Sequence, residues 1–528
     1  MRSLEDLREI IAKYPKELTE PFKNLENMTI PDIVDNKVAL HPEKVAFIHD
    51  DNAVTYKEFH DEINKAANIL RRLGVGPHDK VGILMRNCLE WIYFYFGIQK
   101  NGAIVIPINT FYREKELTYI LNDSEAKVVI ATEEYQELLQ NVKRDAKFLK
   151  STIIIGDDVK EGMLNLKLIE KEKDSNFDNL AKPWYDAIYF YTSGTTGNPK
   201  GVILTHYSCL VNIAQTNSQI DLQEDDRFLI STPLWHCAPS HAAILPGLSK
   251  GISFVIEPRF SLDILKSIEK HKTTAMLGVP AIYIMLLQSK EIKETDMSSM
   301  RLFVYGSAIM PYNTIKTLKK EYPNVKLVNG YGLTETSEAF TFLSDEYALS
   351  KPGSVGKAAP GSIIKILDDN GNEVKTGETG EIVCHGPMIM RGYYKKPEIT
   401  ANTIKDNWLY SKDLGHVDEE GFLYIDGRKD EMILRGAENI FPAEIENALA
   451  MHPDVVEVAI IGVPDEIMGQ EIKAFIVKKE GSIITDDDIK LYCREKVGKN
   501  RTPKYIKYLD ILPRTKTGKV LKRELKLM

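Results

Sequence analysis

The stretch Tyr191-Thr-Ser-Gly-Thr-Thr-Gly-Asn-Pro-Lys-Gly201 concentrates short hydroxyls, three glycines and one lysine. Glycine lets the backbone turn its N–H groups toward a ligand, Ser and Thr add short donors, and lysine brings a mobile positive charge. That combination suits phosphate. The P-loop spacing G-x-x-x-x-G-K-[ST] nevertheless fails. Counting from Gly194, Pro199 takes the second glycine position, and Gly201 follows Lys200 where Ser or Thr is required.

Other stretches carry chemistry of a similar kind. Asn329-Gly-Tyr-Gly-Leu-Thr-Glu-Thr336 sets a hydroxyl, Thr334, beside a carboxylate, Glu335. The same pattern also reads as a helix-capping sequence. Asp413, in Tyr410-Ser-Lys-Asp413, offers a carboxylate that can accept from two neighbouring hydroxyls. Lys519 sits among Lys516, Lys522 and Lys526, a spacing that by itself describes a solvated face. His236 and His241 are five apart with no third ligand in local register, which argues against zinc. A Ser-His hydrolase is excluded by the lack of a G-x-S-x-G elbow.

The elements that must hold these residues are legible as a rhythm. Short apolar runs, VGILM, AIVIPI, AKVVIA, STIIIG, GISFVIE, RLFVYG and VKLVNG, alternate with amphipathic helical stretches. That predicts a large α/β region with mostly parallel sheets. WIYFYFGIQKNGAIVIPI, interrupted by Gln99, Lys100 and Asn101, predicts a buried helix running into a strand rather than a spanning helix. Over about 352–427 the turns D-N-G-N and T-G-E-T-G punctuate short strands, which predicts a smaller β-rich subdomain. From 428 to 528 the pattern becomes compact α+β, with the boundary at the charged turn Gly427-Arg-Lys-Asp430.

The 528-residue chain is too long for one core. Its net charge of −8 gives no general attraction to nucleic acid or anionic membrane. The N-terminal MRSLEDLREIIAKYPKEL lacks the apolar core of a signal peptide. Five cysteines, without a C-x-x-C pair, read as reduced thiols of a cytoplasmic protein.

Four stretches in this order, YTSGTTGNPKG, NGYGLTET, YSKDLGHVDEEGFLYIDGRKDEMILRG and PRTKTGKVLKREL, resemble the signature set of the acyl-adenylate-forming (AMP-binding) superfamily. The similarity runs over nearly the whole chain, and within the superfamily it is greatest to medium- and long-chain fatty acyl-CoA synthetases. The resemblance implies a large domain, 1–427, of two α/β subdomains and the β-rich subdomain, followed by a small mobile domain, 428–528. It implies ATP, Mg²⁺ and CoA, with a small carboxylic acid as the partner and a homodimer compatible with the reading.

Residue by residue, the resemblance implies that Thr192, Ser193, Gly194, Thr195, Thr196 and Gly197 wrap the β- and γ-phosphates, with Lys200 balancing charge. Gly306, Ser307 and Ala308 match the adenine-side loop, and Tyr331 the aromatic on the adenine. Thr334 matches the α-phosphate hydroxyl and Glu335 the Mg²⁺ carboxylate. Asp413 and Arg428 match the ribose contacts, although Ser411-Lys412 stands where Thr-Gly is more common, which puts the local turn in question. Lys519 matches the lysine that bridges the acid and the α-phosphate during adenylation. Asp430 matches a hinge, and Gly436 a position in the CoA tunnel.

For the acid itself, the resemblance implies His236 as a gate and Gly332 as an open pocket position, because a tryptophan closes that position in acetate-specific relatives. No aspartate in Trp235-His-Cys-Ala238 is available to hold a substrate amine. A medium- or long-chain fatty acid is therefore expected first and an aryl or arylpropenoic acid second. An enzyme that loads a separate carrier protein, or an idle nucleotide-binding regulator, are the competing readings.

Overall fold

The computed structural model describes residues 4–169, 177–192, 198–429, 431–435, 438–514 and 520–528. Its architecture is mixed α/β: two large sheets, then a smaller α+β region at the C-terminal end. Each predicted apolar run forms a strand, but the runs divide between the sheets. Lys80–Leu84, Ile104–Pro107, Ala126–Thr132 and Ser151–Ile155 run parallel in the eight-stranded sheet. Ser253–Ile256, Leu302–Gly306 and Lys326–Gly332 belong to the fourteen-stranded one.

Strand alternation builds the layers. In Arg227–Ile230, Phe228 and Ile230 enter a core shared by both sheets, while Leu229 enters a separate cluster on the far side. The shared core also takes Phe59 and Ile63, from helix Tyr56–Arg72, and Trp91 and Phe96, from helix Leu89–Lys100. Helices thus lie between the sheets, and the nearly all-apolar Leu89–Lys100 is the predicted buried helix. Its one buried cation, Lys100, is satisfied by Asn64 Oδ1 at 2.8 Å and Asp35 at 3.4 Å.

The segment predicted as a β-rich subdomain is continuous with the larger sheet. Strand Ser354–Ala358 pairs with Ala339–Leu343 on one side and Leu423–Arg428 on the other, so hydrogen bonding runs unbroken from the parallel strands into the antiparallel ones. The C-terminal sheet is built on the long antiparallel pair Val455–Asp465 and Gly469–Lys478, with Tyr505–Tyr508 parallel at its edge. Helices Pro442–Ala450 and Asp486–Val497 cover it through Ile445, Leu449 and Ile489. No helix among the described residues is long and apolar enough to cross a membrane.

Two features fix the cleft between these parts. Strand Lys200–Thr205 ends where Thr205 caps helix His206–Gln219, its hydroxyl accepting from Ser208 N at 3.1 Å. Asn212 on that helix donates to Ala339 O at 2.8 Å and so ties it to the other sheet. Asn313 reaches across to the C-terminal region, donating to His452 O at 3.1 Å.

Candidate active site

A cleft of about 590 Å³ opens along the C-terminal ends of the parallel strands and extends to the C-terminal region. That is where open α/β sheets bind ligands, because the connections diverge there. Of the residues singled out from sequence, Thr192, Lys200, His236, Ser307, Ala308, Tyr331, Gly332, Thr334, Glu335, Asp413 and Arg428 all line it. Ser193, Gly194, Thr195, Thr196, Gly197, Asp430, Gly436 and Lys519 lie outside the described residues.

Tyr331 and Asp413 approach from different strands. The Tyr331 hydroxyl donates to Asp413 Oδ2 at 2.7 Å, and Arg428 Nε stands 3.3 Å from Oδ1. Burial, and then the Asp413 charge, hold the phenol well above its ordinary pKa, so it stays a donor. The strand Trp408–Val417 places Asp413 opposite Arg428 on Leu423–Arg428. The Ser411-Lys412 departure does not shift that register. Lys412 takes φ +64°, and Ser411 Oγ accepts from Asp413 N at 3.0 Å while donating to Ile382 O at 2.7 Å. A left-handed lysine is costly for an L-residue, which is why glycine is the commoner solution.

Thr334 and Glu335 begin a three-residue 3₁₀ turn, Thr334–Thr336, rather than a long helix. Thr336 does the local capping, accepting from Leu333 N at 3.0 Å. Thr334 Oγ1 lies 3.6 Å from Cys237 Sγ on the gate segment. Glu335 Oε1 accepts from the Tyr393 hydroxyl at 2.7 Å, and its carbonyl accepts from Met390 N at 2.7 Å. Lys200 sits opposite, its ammonium 5.3 Å from the Tyr393 ring centroid. Burial, with Lys412 nearby, lowers the Lys200 pKa, and Glu335 opposes that shift.

The adenine-side loop is shaped by close backbone approach. A Cβ on Gly306 would meet Gly330 O at 2.5 Å, and Ser307 turns the chain at φ +65°. Gly332 is also a close approach: a Cβ there would lie 2.0 Å from Glu338 O and 2.5 Å from Ala339 Cα. A side chain at Gly332 would therefore run into backbone, at the bulge where it pairs with Ala339, although the residue itself borders the cleft. The glycine has a packing reason.

Behind His236 lies a second, apolar cavity of about 50 Å³, lined by Ile220, Pro239, Leu277, Val304 and Phe342 among others. His236 and Ser307 border both spaces. The segment after His236 forms a π-helix, Ala238–Ile244, a wide turn often found at functional sites. Ala238 N donates to His236 Nδ1 at 3.3 Å, which fixes the ring.

At the C-terminal side, Arg514 and Val520 form an antiparallel bridge, and both border the cleft. Lys522 lies 3.0 Å from Glu431 and 3.0 Å from Glu446. Tyr393, Lys412 and Lys522 are cleft residues that the motif reading did not assign. Lys412 was visible as a departure from the common pattern, whereas Tyr393 carried no local signal.

The family model described as AMP-binding enzyme matches residues 34–394, and the one described as AMP-binding enzyme C-terminal domain matches 444–519. The chain belongs to the AMP-binding enzyme family. Among relatives of this AMP-binding enzyme, a long-chain-fatty-acid–CoA ligase of Bacillus subtilis (strain 168) is 32% identical over 98% of this chain and 97% of its own. A feruloyl-CoA synthase of an Amycolatopsis species is 32% identical over 93% and 97%. Among solved structures, the anthranilate CoA ligase AuaEII in complex with anthranoyl-AMP superposes with a TM-score of 0.89 at 28% identity, covering 95% of this AMP-binding enzyme and 97% of that chain.

Proposed function

We propose that this AMP-binding enzyme is an AMP-forming acyl-CoA ligase, an acid–thiol ligase that activates a medium- or long-chain fatty carboxylate. The observation that carries the reading is one cleft in which Tyr331, Asp413 and Arg428 interlock beside Thr334, Glu335 and Lys200, with an apolar cavity behind His236.

A carboxylate is a poor acyl donor, because a thiol would have to expel an oxide. The carboxylate oxygen instead attacks the α-phosphorus of ATP and pyrophosphate leaves. The CoA thiolate then attacks the acyl carbon and AMP leaves. The first step brings anions together, so positioning and charge stabilisation carry most of the catalysis. In this reading Asp413 and Arg428 hold the ribose, and Ser307, Ala308 and Tyr331 border the base. Thr192 and Lys200 stand at the two ends of the phosphate loop, and Thr334 meets the α-phosphate. Lys519 is the catalytic residue of adenylation. A boundary near 427, with a hinge at Asp430, lets 428–528 rotate between half-reactions and bring Gly436 to CoA.

Among the described residues no cluster of three or more His, Cys, Asp or Glu could hold a metal. One cleft carboxylate, Glu335, fits a cation that arrives with phosphates and keeps waters, as Mg²⁺ does. Mg²⁺ would neutralise phosphate charge there, with Glu335 as its protein ligand and Tyr393 orienting the carboxylate. A cytoplasmic location, where ATP and CoA are supplied, agrees with the reading.

An aryl acid is the second reading, favoured by the small volume, about 50 Å³, of the cavity behind His236. The test is pyrophosphate release with Mg-ATP and CoA across acetate, butyrate, octanoate, palmitate, benzoate and 4-coumarate. A maximum at octanoate or palmitate is expected. A maximum at the aromatic acids replaces the fatty acid with an aryl one. Acyl-AMP that accumulates in the presence of CoA points to a carrier-loading enzyme, and no pyrophosphate with any acid overturns the ligase reading.

A further inference from the structure

Lys412 is placed where a lysine is conformationally unfavourable, yet its backbone is pinned there. Its N–H donates to Glu381 Oε1 at 3.1 Å, and its carbonyl accepts from Lys429 N at 2.9 Å, with φ held at +64°. It lines the cleft beside Asp413 and together with Lys200, Thr192 and Glu335. Among the described residues no carboxylate pairs with the ammonium of either Lys412 or Lys200. Glu381, the acid nearest the Lys412 backbone, also lies 3.4 Å from Lys429 Nζ. Glu335 is held by Tyr393, and Asp413 by Tyr331 and Arg428.

Two ammonium groups that border one cleft with no ion pair among the described residues repel each other, and the Lys200 ammonium is destabilised in part by Lys412, an effect that the Glu335 charge only opposes. An anion between them relieves that repulsion, whereas a neutral ligand does not. Asp413 and Arg428 take the ribose side, which leaves the phosphate side toward Lys200. We propose that Lys412 is a second phosphate-binding cation, which works with Lys200 on the pyrophosphate portion of ATP and on the pyrophosphate product. This rests on the ligase reading for the orientation of the nucleotide. Lys412 would strengthen binding of ATP and pyrophosphate and leave AMP affinity nearly unchanged, so the enzyme would be sensitive to inhibition by its own pyrophosphate.

The test is calorimetric binding of ATP, AMP and inorganic pyrophosphate to the full chain and to Lys412→Gln, Lys412→Gly and Lys412→Arg. Loss of a charge-assisted contact predicts about tenfold weaker ATP and pyrophosphate binding in the Gln and Gly variants, less than about twofold change for AMP, and recovery in the Arg variant. Lys412→Gly also removes the left-handed strain, so it keeps the proposal testable if Lys412→Gln folds poorly. Unchanged pyrophosphate binding in the Gly variant, or an equal loss for AMP, overturns the proposal. These measurements need no acid substrate. A wild-type enzyme that forms no pyrophosphate with any acid would therefore overturn the ligase reading separately, while the pyrophosphate titration still decides the role of Lys412.

Discussion

The Tyr331 phenol donates to Asp413 across 2.7 Å, joining the strand Lys326–Gly332 to Trp408–Val417 over the floor of the cleft. These residues are 82 apart in the chain. The bond orients a carboxylate that is only 8% exposed, with Arg428 on its other oxygen. Tyr331→Phe keeps the ring and deletes the donor. Removing a hydrogen bond to a charged group raises the KM for ATP by about tenfold, with a smaller effect on kcat. Steady-state kinetics against ATP check this, and an unchanged KM would show that the hydroxyl has no part in nucleotide binding.

Tyr393 stands in the same relation to Glu335. Tyr393→Phe releases the carboxylate to other rotamers, so the Mg²⁺ concentration for half-maximal activity rises several-fold while saturating Mg²⁺ restores most of kcat. Titration with Mg²⁺ at fixed ATP measures it. A loss of kcat that excess Mg²⁺ does not restore would count against Glu335 as the metal ligand.

Gly332→Ala separates packing from pocket shape. The added methyl meets Glu338 O and Ala339 Cα, and backbone cannot rotate aside as a side chain can. The variant is destabilised by about 1–3 kcal/mol and unfolds at a lower temperature. A variant of unchanged thermal stability and altered acid preference would return Gly332 to the pocket.

His416 gives a pH dependence with a definite sign. Its Nδ1 lies 2.9 and 3.0 Å from the two Asp426 oxygens, its ring stacks on Tyr424 at 5.0 Å, and Thr379 donates to Asp426 at 2.7 Å. The Asp426 hydrogen bond raises the imidazole pKa against partial burial, with Asp418 and Glu444 acting in the same direction. A raised folded pKa means this stabilisation is fully present below the unfolded value of about 6.5 and is lost as pH rises through the folded value. Thermal melts over about pH 5.5–8.5 should show that loss in the wild type and a flatter profile in Asp426→Asn. Equal slopes would show that Asp426 does not stabilise the protonated imidazole in the fold.

The local code was largely written in the chain. Apolar runs five to seven residues long became strands, and the nearly uninterrupted apolar face of Leu89–Lys100 became a buried helix, because period and propensity act over a few residues. The nucleotide-side residues were legible from the order of their types, whether they end a strand as Thr192 does, begin one as Lys200 does, or sit within one as Asp413 does. Tyr393 was not, because a tyrosine after Gly392 carries no chemistry until Glu335 stands beside its hydroxyl.

By itself, then, the sequence determined the elements, the α/β class, and the residue types and order of the nucleotide-side motifs. Tertiary structure alone decided how those elements were shared out. VGILM and RLFVYG are equivalent as sequence, yet one pairs within the eight-stranded sheet and the other within the fourteen-stranded one. Pairing depends on which neighbours bury each face, and that is a property of the whole chain. The same holds for Gly332, whose missing side chain reads as open space until Glu338 O is found 2.0 Å from where a Cβ would be. It holds also for Lys412, which lines the cleft on a strand that holds it at φ +64°.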